Sequence, residues 1–408
     1  MRFALDEDRE ALRSTARDLL DELCPPAAVR AAWTAAPDPA PWRALAAAGA
    51  LAVLVPESDG GLGLDETYLV PVLEEAGRAA MPHPLTETAL VAAPLGVSGP
   101  MVATDLGTAG PLLAADPGAA GETTVAAPAS PGSVVPSAGF AEALGVSGPM
   151  VATDLGTAGP LLAADPGAAG ETTVAAPASP GSVVPSAGVA EAFLLVSGRG
   201  LRLFEAHEVD VEPVETVDAS RHCGRVRPRA AGRPVTEDPS TMAAAFDRGV
   251  LGAAAELLGL SRAMLELTVD YASQRHQFGK PIGSFQAVKH HLANARLGIE
   301  FAAPAVLYAA HAVAHHQPDA GRAVSQAKWL TGQAAAATGR AALQCHGAIG
   351  YTTEHDLHLY LKRSWALART WGDADFHADR VAASIGLSTT GHNGAQAGWR
   401  VAAQGGRQ

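Results

Sequence analysis

Between Ala79 and Gly198 the 408-residue chain carries no lysine and no arginine, while nine aspartates and glutamates fall in that stretch. The segment alone supplies -9 of a formal net charge of -13. Such a balance argues against general affinity for nucleic acid or acidic membranes. A phosphate-rich ligand would find only backbone N–H groups there. Cysteine is scarce too: Cys24, Cys223 and Cys345 lie far apart, with no CxxC pair. That spacing excludes a disulfide framework and a zinc site, so no metal is expected, and it fits a reducing cytoplasm. The N-terminus, MRFALDEDREALRS, is charged from Asp6 onward and does not read as a signal peptide. No continuous apolar run approaches the roughly 18 residues of a membrane span.

What is present is apolar material for large cores, with 48% hydrophobic and 17% charged residues, at a length that predicts two or three domains. Asp6 and Glu7 open an amphipathic helix to about Leu23, which Pro25 and Pro26 stop for want of an N–H donor. Further helices are predicted over Trp42–Ala48 and Asp65–Ala79, with a strand-like run at Leu51–Val55 before the turn Asp59-Gly60-Gly61. Leu95–Ala143 and Leu144–Ala192 are tandem 49-residue copies that differ only at Phe140 against Val189. Each holds eight glycines and six prolines, which predicts short strands and turns, such as Thr123–Ala127, rather than helix. A middle domain has one place for each strand, so a surplus of 49 residues, either whole copy or the end of one with the beginning of the next, is expected to be extruded. Strands follow at Phe193–Val196, Leu201–Phe204 and Val209–Val214, with one more within Arg225–Val235. From Ser240 the pattern is helical: a first helix to about Gln274, then Ser284–Val313, Gly321–Ala337 and Tyr360–Ile385. The predicted organisation is a helical domain (1–93), a middle β domain (94–237) containing the duplication (95–143, 144–192), a helical bundle (238–386) and a disordered tail (387–408).

Two stretches carry chemistry. Arg275-His276-Gln277-Phe278-Gly279-Lys280 begins a run to Gln286 that closes one long helix and opens the next. Its guanidinium is suited to a two-pronged grip on a pyrophosphate, beside an aromatic face; an ordinary helix connection with a surface arginine fits equally well. Gln344-Cys345-His346-Gly347 begins the second, where small residues admit close backbone approach and Gln344 can read an adenine or ribose edge. A glycine-capped helix end is the plainer reading of that stretch. Glu354-His355-Asp356 with His358 lacks a second ligand cluster and does not make a metal site. Glu256, beside Leu257 and Leu258, reads as a structural or interfacial carboxylate.

Taken together, RHQFGKPIGSFQAVKHHLA and QCHGAIGYTTEHDLHLYLKR resemble the C-terminal domain of the acyl-CoA dehydrogenase family, and LAVLVPESDGGLGL with EEAGRAAMPHPL resembles its N-terminal domain. The resemblance covers about 1–92 and 190–386. It implies a multi-domain α+β fold of N-terminal helical domain, middle β domain and C-terminal helical bundle. It further implies FAD as cofactor, an acyl-CoA substrate desaturated at its 2,3-bond, an electron-transfer flavoprotein-type acceptor, and an oligomer of like subunits. In the family, the residues matching Arg275 and Gln344 hold the ADP half of FAD across a subunit interface; Gln277, Phe278, Gln286 and Gly347 match further positions there.

The departures bear on catalysis. The family's glutamate base falls at Gly372, within Thr370-Trp371-Gly372-Asp373, and the alternative position used by some members falls near Gly249, close to Asp247. No residue is therefore assigned as the base. The flavin-facing serine/threonine loop is absent, and no tryptophan occurs between Trp42 and Trp329. Three functions remain open: a dehydrogenase subunit whose partner chain supplies the base, a self-sufficient dehydrogenase using Asp373, and a non-redox protein that binds acyl thioesters or acts as a scaffold.

Overall fold

The computed structural model describes residues 5–97, 102–105, 183–197 and 200–387. Helix α1 (Glu7–Leu23) starts where the Asp6 carboxylate accepts the N–H of Arg9 at 3.0 Å, satisfying one of the unpaired first-turn donors. The two prolines end it and begin α2 (Pro26–Ala31), and α3 (Ala40–Ala47) follows. Asp65 caps α4 (Glu66–Arg78) through the N–H of Thr67. The predicted strand at Leu51–Val55 is instead a 3-10 turn and bend. Its carbonyls at Ala52, Val53 and Val55 are taken by the N–H groups of Leu62, Leu64 and Gly63, so the run closes on its own turn rather than on a sheet.

A π-helical segment, Thr86–Ala92, is buried throughout and leads to the sheets. One sheet has the order β1 (Val102–Asp105), β3 (Ala192–Ser197), β4 (Gly200–Glu205), β7 (Arg233–Thr236). The other has the order β2 (Val183–Val184), β6 (Gly224–Pro228), β5 (Val209–Pro213). β1 runs parallel to β3 and the remaining pairs in these two sheets are antiparallel. The single strand predicted in Arg225–Val235 is two, separated by a turn with Gly232 at φ +64°. The beginning of the first repeat copy thus supplies β1, and the end of the second supplies β2. The expected extrusion, the strand at Thr123–Ala127 and the tail beyond Leu387 lie outside the described residues.

The C-terminal bundle comprises α5 (Pro239–Gln274), α6 (Gln286–Ala314), α7 (Ala320–His346), α8 (Leu357–Arg369) and α9 (Ala374–Ser384). The helix predicted over Tyr360–Ile385 breaks in two, because Trp371 at φ +61° and Gly372 at φ +94° occupy the left-handed region that no helix continues through. Helix α6 is long and apolar enough, by length and composition, to cross a membrane, a property the unbroken-run criterion missed. Its Ile299, Ala302, Val306, Ala309 and Ala310 lie in the bundle core.

N- and C-terminal helices share one hydrophobic core, in which α4 lies directly on α5. A Cβ at Gly77 would stand 2.1 Å from the carbonyl oxygen of Glu256, and one at Gly259 1.9 Å from that of Glu74. Only glycine permits backbones to approach this closely. Ion pairs flank the contact: Arg248 with Glu66 at 2.7 Å and Arg262 with Glu74 at 3.0 Å. The middle domain is tied in by Arg363, fully enclosed on α8, which donates to Asp218, to Ser220 at 2.9 Å and to the Met81 carbonyl at 2.7 Å. One guanidinium therefore joins all three parts of the chain.

Candidate active site

The structure brings the two sequence motifs together. Tyr271, one turn before Arg275, stacks on His346 with ring centroids 4.4 Å apart, and His355 meets both rings edge-on. The connection after Arg275 is a small hairpin, β8 (His276–Gln277) with β9 (Lys280–Pro281). At its tip Phe278 is held at φ +53° and is 91% exposed, a costly arrangement for an aromatic side chain with nothing to cover it. Arg275, Gln277, Gln286 and Gln344 are exposed as well.

These residues suit an anionic dinucleotide. The Arg275 guanidinium has no hydrogen bond or ion pair among the described residues, while its backbone N–H and carbonyl are taken by Tyr271 and Ile282. The N-terminus of the 29-residue α6 takes no side-chain cap from Phe285, so its first-turn N–H groups and dipole remain available to an anion. Gly347, at φ +64°, has open space where a side chain would stand. All of these features face outward, as a cofactor shared between subunits requires.

The two positions singled out for a base are tightly packed. Gly372 sits at φ +94°, and a Cβ there would lie 2.4 Å from Cδ1 of Phe376 and 2.9 Å from Nε2 of His377. At Gly249 a Cβ would enter the indole of Trp371 at 2.5 Å. Trp371 in turn packs edge-on against Phe246 at 5.9 Å. Gly372 and Gly249, on which the resemblance places or nearly places the family's glutamate, are thus both glycines with aromatic groups against them. Neither neighbouring aspartate is free: Asp373 caps α9 by accepting the N–H of Phe376 at 2.9 Å, and Asp247 is paired with Arg380 at 2.6 Å.

The 368–373 loop is held from beneath by groups that sequence reasoning missed. Lys328, 2% exposed on α7, donates to the carbonyls of Ala368 and Gly372, each at 3.1 Å. Burial pulls its ammonium down to about 7, against the opposing pull of Asp373. His377, fully buried, lies 3.0 Å from the Trp371 carbonyl and 3.1 Å from the Ser325 hydroxyl, and burial depresses it to about 3. Nothing local flags Lys328: a lysine in a helix that also carries Arg322, Gln326, Gln333 and Arg340 reads as part of its solvent edge. Arg221, buried and donating to the Thr370 hydroxyl at 3.0 Å, and the buried Glu87 were likewise not singled out.

Comparison with known proteins agrees with this architecture. Residues 6–101 match the acyl-CoA dehydrogenase N-terminal domain and residues 240–386 the acyl-CoA dehydrogenase C-terminal domain. The chain is 30% identical over 367 residues to acyl-CoA dehydrogenase IpdE2 of Mycobacterium tuberculosis, spanning 89% of this chain and 92% of that protein. It is 29% identical over 386 residues to the protein of the same name in Mycolicibacterium smegmatis, covering 93% and 100% respectively. Among solved structures, the ChsE4-ChsE5 complex from Mycobacterium tuberculosis superposes with a TM-score of 0.71 at 23% identity, over 95% of this chain and 100% of that one. A steroid ACAD variant, Tcur3481-Tcur3483, gives 0.69 at 25% identity, over 93% and 98%. With both helical domains matched and the glycine-lined contact, paired motifs and domain order in place, the chain belongs to the acyl-CoA dehydrogenase family of FAD-dependent oxidoreductases.

Proposed function

We propose that this chain is the base-deficient subunit of a mixed acyl-CoA dehydrogenase, holding part of the FAD while a second family member supplies the catalytic carboxylate. The observation that carries this reading is the closure of both base positions, at Gly372 and Gly249, by Phe376, His377 and Trp371. A chain that had merely lost its glutamate would leave space for one. The capping role of Asp373 speaks against the self-sufficient alternative, since a base must be free to take a proton. Two of the structures that superpose on this chain are named as pairs, ChsE4-ChsE5 and Tcur3481-Tcur3483, which supports a pairwise assembly here.

In this reading Arg275 neutralises the pyrophosphate, Gln277, Phe278 and Gln286 cover the adenosine side, and Gln344 with Gly347 offers a side-chain amide and an open backbone edge. Bound FAD supplies the hydride acceptor for 2,3-desaturation. Neither Gly372 nor Gly249 can accept a proton, so in this reading that task falls to the partner. Lys328 and His377 fix the loop between, keeping Trp371 against α5. The division into parts at about 94 and 238 belongs to the same proposal.

The test is co-production with a family member that has the intact glutamate, followed by a visible spectrum. A yellow assembly containing both chains is the expected result. A colourless protein that still binds acyl-CoA would overturn the reading in favour of a non-redox thioester binder.

A further inference from the structure

The two cofactor motifs meet through three rings. Tyr271 lies in the last turn of α5, just before Arg275, and His346 ends α7 next to Gly347. His355 stands two residues before α8. Tyr271 and His346 are nearly parallel, 21° apart in plane, while His355 meets His346 at 66° with centroids 4.6 Å apart. Face and edge contacts of this kind add to the burial of the rings themselves. They pin the end of α5 to the end of α7, and with it the spacing of Arg275 from Gln344 and Gly347.

Hydrogen bonds fix the proton on each imidazole. Nδ1 of His346 lies 2.8 Å from the Ala342 carbonyl, which can only accept, so this nitrogen carries the hydrogen. Nε2 then holds the lone pair, buried and without a partner among the described residues, on a residue only 4% exposed. His355 is fixed the other way round. Its Nδ1 accepts the N–H of Leu357 at 3.1 Å, in the first turn of α8, so that nitrogen carries no hydrogen. Both rings are therefore built in as neutral imidazoles.

A further proton has no good place in this arrangement. On His346 it would make Nε2 a buried donor without an acceptor, and on His355 it would set Nδ1–H against the Leu357 N–H. Two imidazolium rings in contact would also repel. The groups around the stack offer little relief. Tyr271 and Arg275 of α5 and Cys345 of α7 bring no carboxylate, and Asp270 and Glu354 are exposed. Asp356, beside His355, is taken by Arg30 at 2.6 Å, and His358 lies with its Nδ1 3.1 Å from the His355 carbonyl. Burial, with the charge of His355 adding to it, holds His346 below the ordinary value of 6.5.

We propose that His346 and His355 are positioning residues for the cofactor: as neutral rings they hold the two motifs in register for FAD, and on protonation they part and release it. This rests on the reading that places FAD at Arg275, Gln344 and Gly347, and adds to it a proton that competes with the cofactor. The sign follows from the neutral form being the native one. Retention is complete above the free-histidine value of about 6.5 and falls as pH drops below it. Arginine keeps its charge throughout this range, so loss of flavin in acid is not loss of the pyrophosphate's own contact.

The experiment is titration of FAD into the assembly with a glutamate-bearing family member, near pH 7.5 and near pH 5.5, with thermal melting of each sample. For the parent, the apparent Kd is expected to rise about tenfold or more over that interval, with at least one proton linked to release. His346→Phe keeps a ring in the stack without a basic nitrogen. His355→Asn keeps an acceptor for the Leu357 N–H without one. Each should bind FAD near pH 7.5 and limit the rise to about threefold or less. A stack that served stability alone would change the melting temperature of both variants and leave the rise as steep as the parent's, which overturns the inference. A parent Kd equal at the two pH values also overturns it and leaves the FAD site standing. An assembly that takes up no flavin at either pH overturns the FAD reading, and the inference with it. The parent profile needs no variant to fold.

Discussion

Gly372 shows how a single residue can close a position by geometry as well as by chemistry. Its φ of +94° strains any side chain, and its missing Cβ is the space that Phe376 and His377 occupy. Gly372→Glu should therefore lower stability by roughly 2–4 kcal/mol, from left-handed strain and overpacking together, without creating a dehydrogenase. Thermal melting and turnover of the variant check both halves. Glu87 makes a second, pH-dependent prediction. Its carboxyl is raised from an ordinary value of 4.5 to about 7 by burial, so the folded chain holds a proton that the unfolded chain releases. The stability that goes with that proton is complete below the unfolded value and is lost as pH rises through about 7. Glu87→Gln should thus melt like the parent near pH 4 and gain up to about 3 kcal/mol over it near pH 8. A parent-like difference at both pH values would refute the assignment.

At the scale of elements, what was readable in the sequence was whatever local periodicity and punctuation encode. Asp6, Asp65 and Pro25-Pro26 set helix ends that the structure reproduces within a residue or two. The break at Trp371 was not readable as a break in the helix, because a tryptophan with positive φ has no local signature; tertiary packing against Gly249 holds it there. The Leu51–Val55 run failed for a related reason: its apolar pattern serves a turn buried under α3 and the 86–92 segment. The candidate cofactor motif was legible as residues, and the structure adds that the α5–α6 hairpin presents them outward, with the Arg275 guanidinium unpaired among the described residues. Arg275→Ala should remove a charge-assisted contact worth roughly 1.5–3 kcal/mol and weaken FAD retention in the assembly about tenfold or more. Flavin absorbance per protein after gel filtration measures this, and parental flavin content in the variant would remove Arg275 from the site.

For the whole molecule, order of domains and family were legible, while the deep polar junction was not. Glu87, the turn that carries Asp218 and Arg221, and Arg363 are far apart in sequence and meet because three parts of the chain converge. The duplication is a whole-chain question as well. β1 comes from the start of the first copy and β2 from the end of the second, so one copy's worth of sequence serves the described sheets. Deleting Leu144–Ala192 joins Ala143 to Phe193 and replaces Val189 with its counterpart Phe140. Connection length enters stability only logarithmically, so the shortened chain should fold with a loss of no more than about 1 kcal/mol, or with a gain. Insoluble expression of the deletion would show that both copies are integral.

The central claim is that this chain contributes to a flavin site and lacks its own base. Turnover of an acyl-CoA with a dye acceptor, measured for the chain alone and for its assembly with a glutamate-bearing family member at equal flavin, tests it most directly. Loss of a general base typically costs about 100- to 10,000-fold, and the chain alone should fall below the assembly by that order. Turnover by the isolated chain equal to that of the assembly, and abolished by Asp373→Asn, would contradict the account.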